Sequence, residues 1–232
     1  MKRKIMDILY SSPLEISINM KLRYKPIVAK LKKLRNQNKN LKVLEVGSGS
    51  KGITRFFKHP VVGMDIEFQD HKNKYLKEII GSATKKFPFE GNEFDVVIAI
   101  DAIEHFPKKE RLKSLKEMLR VSKKHIIVAG PFEITKWDKL VLKKWPKNSP
   151  TYINVKEHLD YGIPDGSEIE NIFKNCRIQT IYGAHPALSY FIKLLERNLA
   201  GKVLSRSILK LFYPIFIFIK GKSRRCYFIE KI

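Results

Sequence analysis

Residues 94–100 read Phe-Asp-Val-Val-Ile-Ala-Ile, an almost continuous β-branched apolar run. A strand of this composition has no polar face to give to water, so it must be covered on both sides. That requirement points to the interior of a parallel sheet flanked by helices. Lys42–Val46, Val61–Asp65 and His125–Ala129 are shorter runs of the same kind. Between them lie helical patterns: 53–57, 71–80 and Lys108–Val121, where Leu112, Leu115 and Leu119 share one face. Strands alternating with helices, joined by right-handed crossovers, give a doubly wound α/β fold.

The remaining segments attach to this frame. Residues 1–40 form a basic, helix-prone extension in which Leu22, Ile27, Leu31 and Leu34 fall near one stripe. Residues 41–232 form the main domain. A proline-punctuated loop is expected around Pro146 and Pro150, a helix around Ser167–Asn175, and a strand around Arg177–Tyr182. Cys226–Ile232 reads as a closing strand. Between these last two strands lies a hydrophobic and basic stretch, about 184–224, expected to be helical.

Composition narrows the partners. Lys and Arg number 46 against 23 Asp and Glu, a formal net charge of +23. Such a surface attracts nucleic acid, anionic lipid headgroups or phosphorylated substrates, and it also serves simply as a solvated face. Cys176 and Cys226 form no CxxC pair and match no zinc spacing, so no metal site is expected and a reducing compartment is. The basic N-terminus lacks the apolar stretch of a signal peptide, and no run reaches the roughly 18 apolar residues of a spanning helix. The expected location is cytoplasmic, with a peripheral position at the inner membrane surface as the variant.

Gly47-Ser48-Gly49-Ser50-Lys51-Gly52 follows the first strand directly and has the spacing G-x-G-x-x-G. Small residues let the backbone approach a ligand, and the N–H groups at the following helix start face it. Such turns also serve as plain connections. Two acids add to the motif. Asp65 ends the second strand, where a carboxylate can accept from both ribose hydroxyls. Glu45 sits two residues before the first glycine, which suits a ligand carrying an ammonium and a sulfonium.

With these residues the chain resembles the class I S-adenosylmethionine-dependent methyltransferases. The resemblance runs through LEVGSGSKG, VVGMDIE, GSATKKFPFEGNEFDVVIAIDAIEHF and the helix leading to HIIVAGP, roughly residues 41–131. The stretch FPFEGNEFDVV followed by DAIEHF is similar to the branch acting on small molecules and lipids, which includes quinone-biosynthesis enzymes. The resemblance implies a Rossmann-like, mostly parallel seven-stranded sheet with an antiparallel last strand. It implies S-adenosyl-L-methionine as cofactor, with Glu45, Gly47, Ser48 and Gly49 around its methionine part. Asp65 would hold the ribose and Ile66 would cover the adenine. Ser82 and Ala83 would border the adenine edge, where relatives often carry an acid in place of Ser82. Asp101 would face the methyl donor.

Methyl transfer from a sulfonium is a direct displacement, so alignment supplies much of the acceleration. A hydroxyl acceptor would also need a base. His105 and His158 are the catalytic candidates, with Glu104, Asp160 and His185 as further titratable groups and helix capping as the alternative role for Glu104 and His105. In the 184–224 stretch, apolar runs at 188–195 and 208–219 are surrounded by Lys193, Arg197, Lys202, Arg206 and others. An apolar face with a cationic rim suits an anionic membrane surface, a sheet-covering helix or a subunit contact. The expected acceptor is therefore a lipid, isoprenoid or other small molecule. A nucleic acid acceptor and a non-catalytic binding role stand as alternatives.

Overall fold

The computed structural model describes residues 18–69, 73–195 and 220–232. Seven strands form one sheet in the order β3-β2-β1-β4-β5-β7-β6. They are β1 (Val43–Val46), β2 (Val61–Asp65), β3 (Leu76–Ile80), β4 (Phe94–Ile100), β5 (Ser122–Pro131), β6 (Cys176–Ala184) and β7 (Lys220–Lys231). The first five pair in parallel, and β7 inserts antiparallel between β5 and β6. The helices are α1 (Ile18–Gln37), α2 (Lys108–Val121), α3 (Lys136–Lys144), α4 (Pro150–Tyr161), α5 (Gly166–Ile172) and α6 (Pro186–Leu195).

The pleat sorts the apolar strand residues into two cores. Leu44, Val46, Val97, Ala99, Ile126 and Val128 pack on one face with α2. Val43, Val96, Ile98, Ile100, Ile127 and Ala129 point the other way, where Ile27, Leu31 and Leu34 of α1 cover them. Successive side chains alternate, so the unbroken run in β4 feeds both cores, and no residue of the run after Asp95 reaches water freely. The basic segment read as an N-terminal extension thus supplies, from Ile18 onward, the cover of one sheet face.

Five local readings differ from the structure. Residues 76–80 form strand β3 rather than part of a helix. This is an edge strand, and its Lys77 and Glu78 are exposed, so it lacks the apolar run that marks the inner strands. The helix expected at 53–57 is a single 3-10 turn, Gly52–Arg55. The region around Pro146 and Pro150 is a short break between two helices. Pro150 opens α4 behind Ser149, whose hydroxyl accepts from the Tyr152 N–H, and proline at a helix start loses no hydrogen bond. Strand β5 runs through Gly130-Pro131, and β7 begins at Lys220, inside the stretch expected to be helical. The apolar run at 208–219 and most of its basic neighbours lie outside the described residues.

One buried ion pair ties the helical layer together. The Arg111 guanidinium of α2 makes a two-pronged contact with Glu168 of α5, Nε to Oε2 at 2.7 Å and Nη2 to Oε1 at 3.2 Å. Its Nη1 also donates to the carbonyls of Phe106 and Gly162. Both side chains are almost fully buried, so among the described residues each is satisfied only by the other and by these carbonyls. Glu168→Ala strands a charged guanidinium in the core and is expected to lower unfolding free energy by about 3–5 kcal/mol. Pairing it with Arg111→Met should recover most of that loss, as read by urea denaturation of the single and double variants.

Candidate active site at the sheet switch point

The strand order reverses between β1 and β4, and in open α/β sheets ligands bind outside the carboxyl ends of strands at such a point. The Gly47 N–H donates to Met64 O and the Asp101 N–H to Ala129 O, so the turns leaving β1 and β4 start at one rim. The glycines of the first turn are used for their backbone. Gly47, Gly49 and Gly52 have φ of +70°, +52° and +41°. A Cβ on Gly52 would collide with the Glu45 carboxylate, whereas the space before Gly49 is open among the described residues.

Glu45 is 1% exposed, and its Oε2 accepts from the Ile53 N–H at 2.7 Å. That bond crosses the turn and sets where the 3-10 segment begins. Burial pushes the Glu45 carboxyl up to about 8, against the partial opposition of the Ile53 amide and Arg55. The side chain is therefore mostly protonated at neutral pH. Asp65 Oδ2 accepts from the Gly49 N–H at 2.8 Å and its Oδ1 from the Ile66 N–H at 2.7 Å. Ser48 is buried behind the turn, against Gly63 of β2. Ile66 is 71% exposed, so nothing described covers it on its outer side. Ser82 shares a hydrogen bond with the Thr84 hydroxyl at 3.0 Å, and Ala83 packs into the core beside it.

Asp101 occupies a different position. It has φ +51°, a left-handed conformation that few non-glycine residues adopt. Arg23 of α1 donates to its Oδ2 at 2.5 Å, and Arg224 of β7 to its Oδ1. Burial would raise its carboxyl, but the combined charges of Arg224 and Arg23 outweigh this and hold it near 2. Its side chain also lines a cavity.

That cavity, about 310 Å³, is lined by Arg23, Asp101, Glu104, His105, His158 and Lys193 among others. The two candidate histidines, 53 positions apart in the chain, meet here with ring centroids 5.2 Å apart. Helix α4 delivers His158 and also Glu157, whose Oε2 lies 2.8 Å from His105 Nδ1. A carboxylate at Nδ1 favours the proton there and leaves Nε2 as the acceptor. The neighbouring Glu104 is buried, and its Oε2 and the His158 Nε2 have no hydrogen-bond partner among the described residues. Burial and then the Asp101 charge push Glu104 up to about 8. Burial and then the His105 charge push His158 down to about 4, so it is neutral at pH 7. Glu104, His105 and His158 place one ligand-type atom each within 4.8 Å of one another, a grouping able to hold a divalent cation. Lys193, Arg23 and Arg224 close by weigh against that occupant.

Neither of the two other titratable candidates lines this cavity. Asp160 pairs with Lys156 on the exposed side of α4, and His185 Nδ1 accepts from the Ala187 N–H at the start of α6. The sequence marks Lys193 only as one of the basic residues around the apolar runs, and it does not mark Glu157 at all. Glu157 precedes His158 on α4, and its contact with His105 comes from the packing of α4 against the turn after β4.

These positions give a direct test of the turn. Gly52→Ala forces a Cβ into the Glu45 carboxyl at a left-handed φ. It is expected to cost about 1–3 kcal/mol of stability and to abolish ligand binding at the turn, whereas Gly162→Ala, also at positive φ but in open space, should leave binding intact. Thermal unfolding with and without ligand separates the two effects.

Residues 44–128 match a family described as a methyltransferase domain. The sterol 24-C-methyltransferase of Saccharomyces cerevisiae is 28% identical over 158 residues, covering 60% of this chain and 39% of that protein. Cycloartenol-C-24-methyltransferase 1 of Oryza sativa subsp. japonica is 25% identical over 223 residues, covering 82% of this chain and 62% of that protein. The chain thus spans less than two thirds of the length of these curated relatives. In fold it is similar to the magnesium protoporphyrin IX methyltransferase of Synechocystis, solved with bound SAH, with a TM-score of 0.55 at 14% identity over 100% of this chain and 94% of that one. The matching segment runs from the first strand through the switch-point turn to the fifth strand, so the similarity to a methyltransferase domain falls on the residues that build this rim.

Proposed function

We propose that the protein transfers the methyl group of S-adenosylmethionine to a small-molecule or lipid acceptor held in the histidine cavity. The observation carrying this reading is the Glu45–Gly52–Asp65 turn opening at the same sheet rim as the cavity of His105 and His158. The sulfonium–methyl bond breaks as the acceptor–methyl bond forms, leaving S-adenosylhomocysteine. Asp101 and the turn align the two reactants. For an acceptor hydroxyl, His105, held by Glu157, takes the proton. The sterol-acting relatives support a lipid acceptor. So do Phe191, Leu194 and Leu195, which project from α6 into solvent beside Lys193. This apolar face suits a membrane surface. No helix among the described residues is long and apolar enough to cross one.

Calorimetric titration with S-adenosylhomocysteine tests the cofactor half. Saturable heat is expected, and its absence together with heat from NAD would point to a different enzyme class. Asp65→Ala should weaken binding by on the order of tenfold to a hundredfold, the equivalent of one to two charge-assisted hydrogen bonds.

The raised Glu45 carboxyl gives a second readout. With a value of about 8, the free protein holds close to one proton there at pH 7. The cationic cofactor favours the carboxylate and expels it. Titrations at pH 7 in buffers of different ionisation enthalpy should show net proton release, growing smaller above pH 8 and vanishing in Glu45→Gln.

For the acceptor half, labelled methyl groups from S-adenosylmethionine should appear in a lipid extract incubated with the protein. His105→Asn should slow that incorporation by roughly 10²–10⁴-fold with cofactor affinity unchanged. Equal rates in both proteins would remove the base role.

A further inference from the structure

We propose that the acceptor is an amphiphile bearing one anionic group, a carboxylate or phosphate, held by Lys193 beside Arg23 and Arg224, with its apolar chain in the groove between α1 and β6–β7. This rests on the methyltransferase reading for placing the acceptor in the cavity. The first observation is Lys193 itself. Its side chain lines the cavity and is drawn in from solvent, yet it has no hydrogen-bond or ion-pair partner among the described residues. Burial lowers its pKa, as does the nearby Arg23 charge. An ammonium left unpaired in such a place is costly, and an anion with acceptor oxygens repays that cost.

The second observation is charge balance. Arg23 and Arg224 share the single Asp101 carboxylate, leaving one positive charge over. Arg23 spends its Nε on Asn19 O and Nη1 on Asp101, and Arg224 spends Nη2 on Asp101. Each guanidinium carries five donors, so both keep N–H groups for a further acceptor. Among the acids on the lining, Asp138 is engaged by Thr135 in the cap of α3 and still lends its charge to Lys193, Glu133 is exposed, and Glu104 is mostly protonated at neutral pH. With Asp101 and Asp138 set against Arg23, Arg224 and Lys193, the interior of the cavity keeps one positive charge without a counterpart.

The third observation is the adjoining groove, about 280 Å³, with a mainly apolar lining that includes Pro26, Ala29, Ile181 and Cys226. It shares Asn19, Arg23, Ala184, Ser189 and Arg224 with the histidine cavity. The two spaces thus adjoin across the two arginines. A charged group at that junction, an apolar chain on one side and a reacting group beside His105 on the other describe a single bound molecule.

Binding of laurate, dodecyl phosphate and dodecanol to the full chain tests this, followed by calorimetry or by the emission of Trp137, which lines the cavity. One of the two anionic probes is expected to bind saturably at one site, at least tenfold tighter than dodecanol, and the tighter of the two names the acidic group. Lys193→Gln should erase that preference while leaving dodecanol and S-adenosylhomocysteine affinities unchanged, and Lys193→Arg should restore it. Equal affinity for the alcohol and the anions, no saturable binding by either anion, or a preference untouched by Lys193→Gln each overturns the proposal. Loss of S-adenosylhomocysteine binding in the wild-type chain would instead sink the methyltransferase reading, a separate result.

Discussion

The hydrogen bond from the Ile53 N–H to the buried Glu45 carboxyl organises everything at the ligand-binding rim. It spans the glycine turn, so it fixes both ends of the loop proposed to meet the cofactor. The bond needs Gly52, because a side chain there would occupy the place of the carboxyl. It needs β1 buried on both faces, because only then does Glu45 enter the protein rather than water. It is also thermodynamically tense. An acid at about 8 is a group placed where its charge is unwelcome until a cation arrives. A carboxyl shifted this far at a rim that is otherwise well packed marks a candidate functional site.

A second dependency runs through Asp101. Its left-handed backbone has a cost, and no glycine is used to avoid it. What holds the residue is its side chain, gripped by arginines from the first described helix and the last strand. Elements from both ends of the described chain therefore converge on the loop after β4. The α1 helix covers the sheet with Ile27, Leu31 and Leu34, and one turn before them it delivers Arg23. Core packing and site electrostatics are in this sense one construction.

How much of this the sequence reveals follows from where burial is two-sided. The β4 run is legible residue by residue because both its faces are covered, and α2 is legible because its leucines keep a strict stripe. Strand β3 is not, since its alternation Leu-Lys-Glu-Ile-Ile carries charge at the sheet edge and mimics a helical surface. Helices α3 and α4 hide behind Pro146 and Pro150, residues that punctuate loops but here serve as helix boundaries. The donor side of the site is legible for a related reason: Glu45, the glycines and Asp65 lie within a short stretch of chain, on strand ends that the pattern already marks. The acceptor side is assembled from α1, the β4 loop, α4, α6 and β7. No spacing rule connects Arg23, His105, His158, Lys193 and Arg224, and their meeting is a product of topology alone.

That division has a physical logic. In the proposed function the cofactor half has one problem to solve, the binding of a single molecule, and a compact loop at a fixed point of the sheet suffices. The proposed acceptor half draws on several elements at once. It is built on the outer connections, where α4 and α6 can change without disturbing the sheet. In this chain those helices bring to one space two groups without a partner among the described residues, the His158 Nε2 and the Lys193 ammonium. Each carries a desolvation cost, and folding by itself gains nothing from either. A core packed for stability alone would favour apolar replacements at both positions. Under the proposed reading these groups, beside a carboxylate-held histidine and two partly committed arginines, take their partners from the acceptor. Asp101, gripped from both ends of the described chain, would then stand between the two reactants.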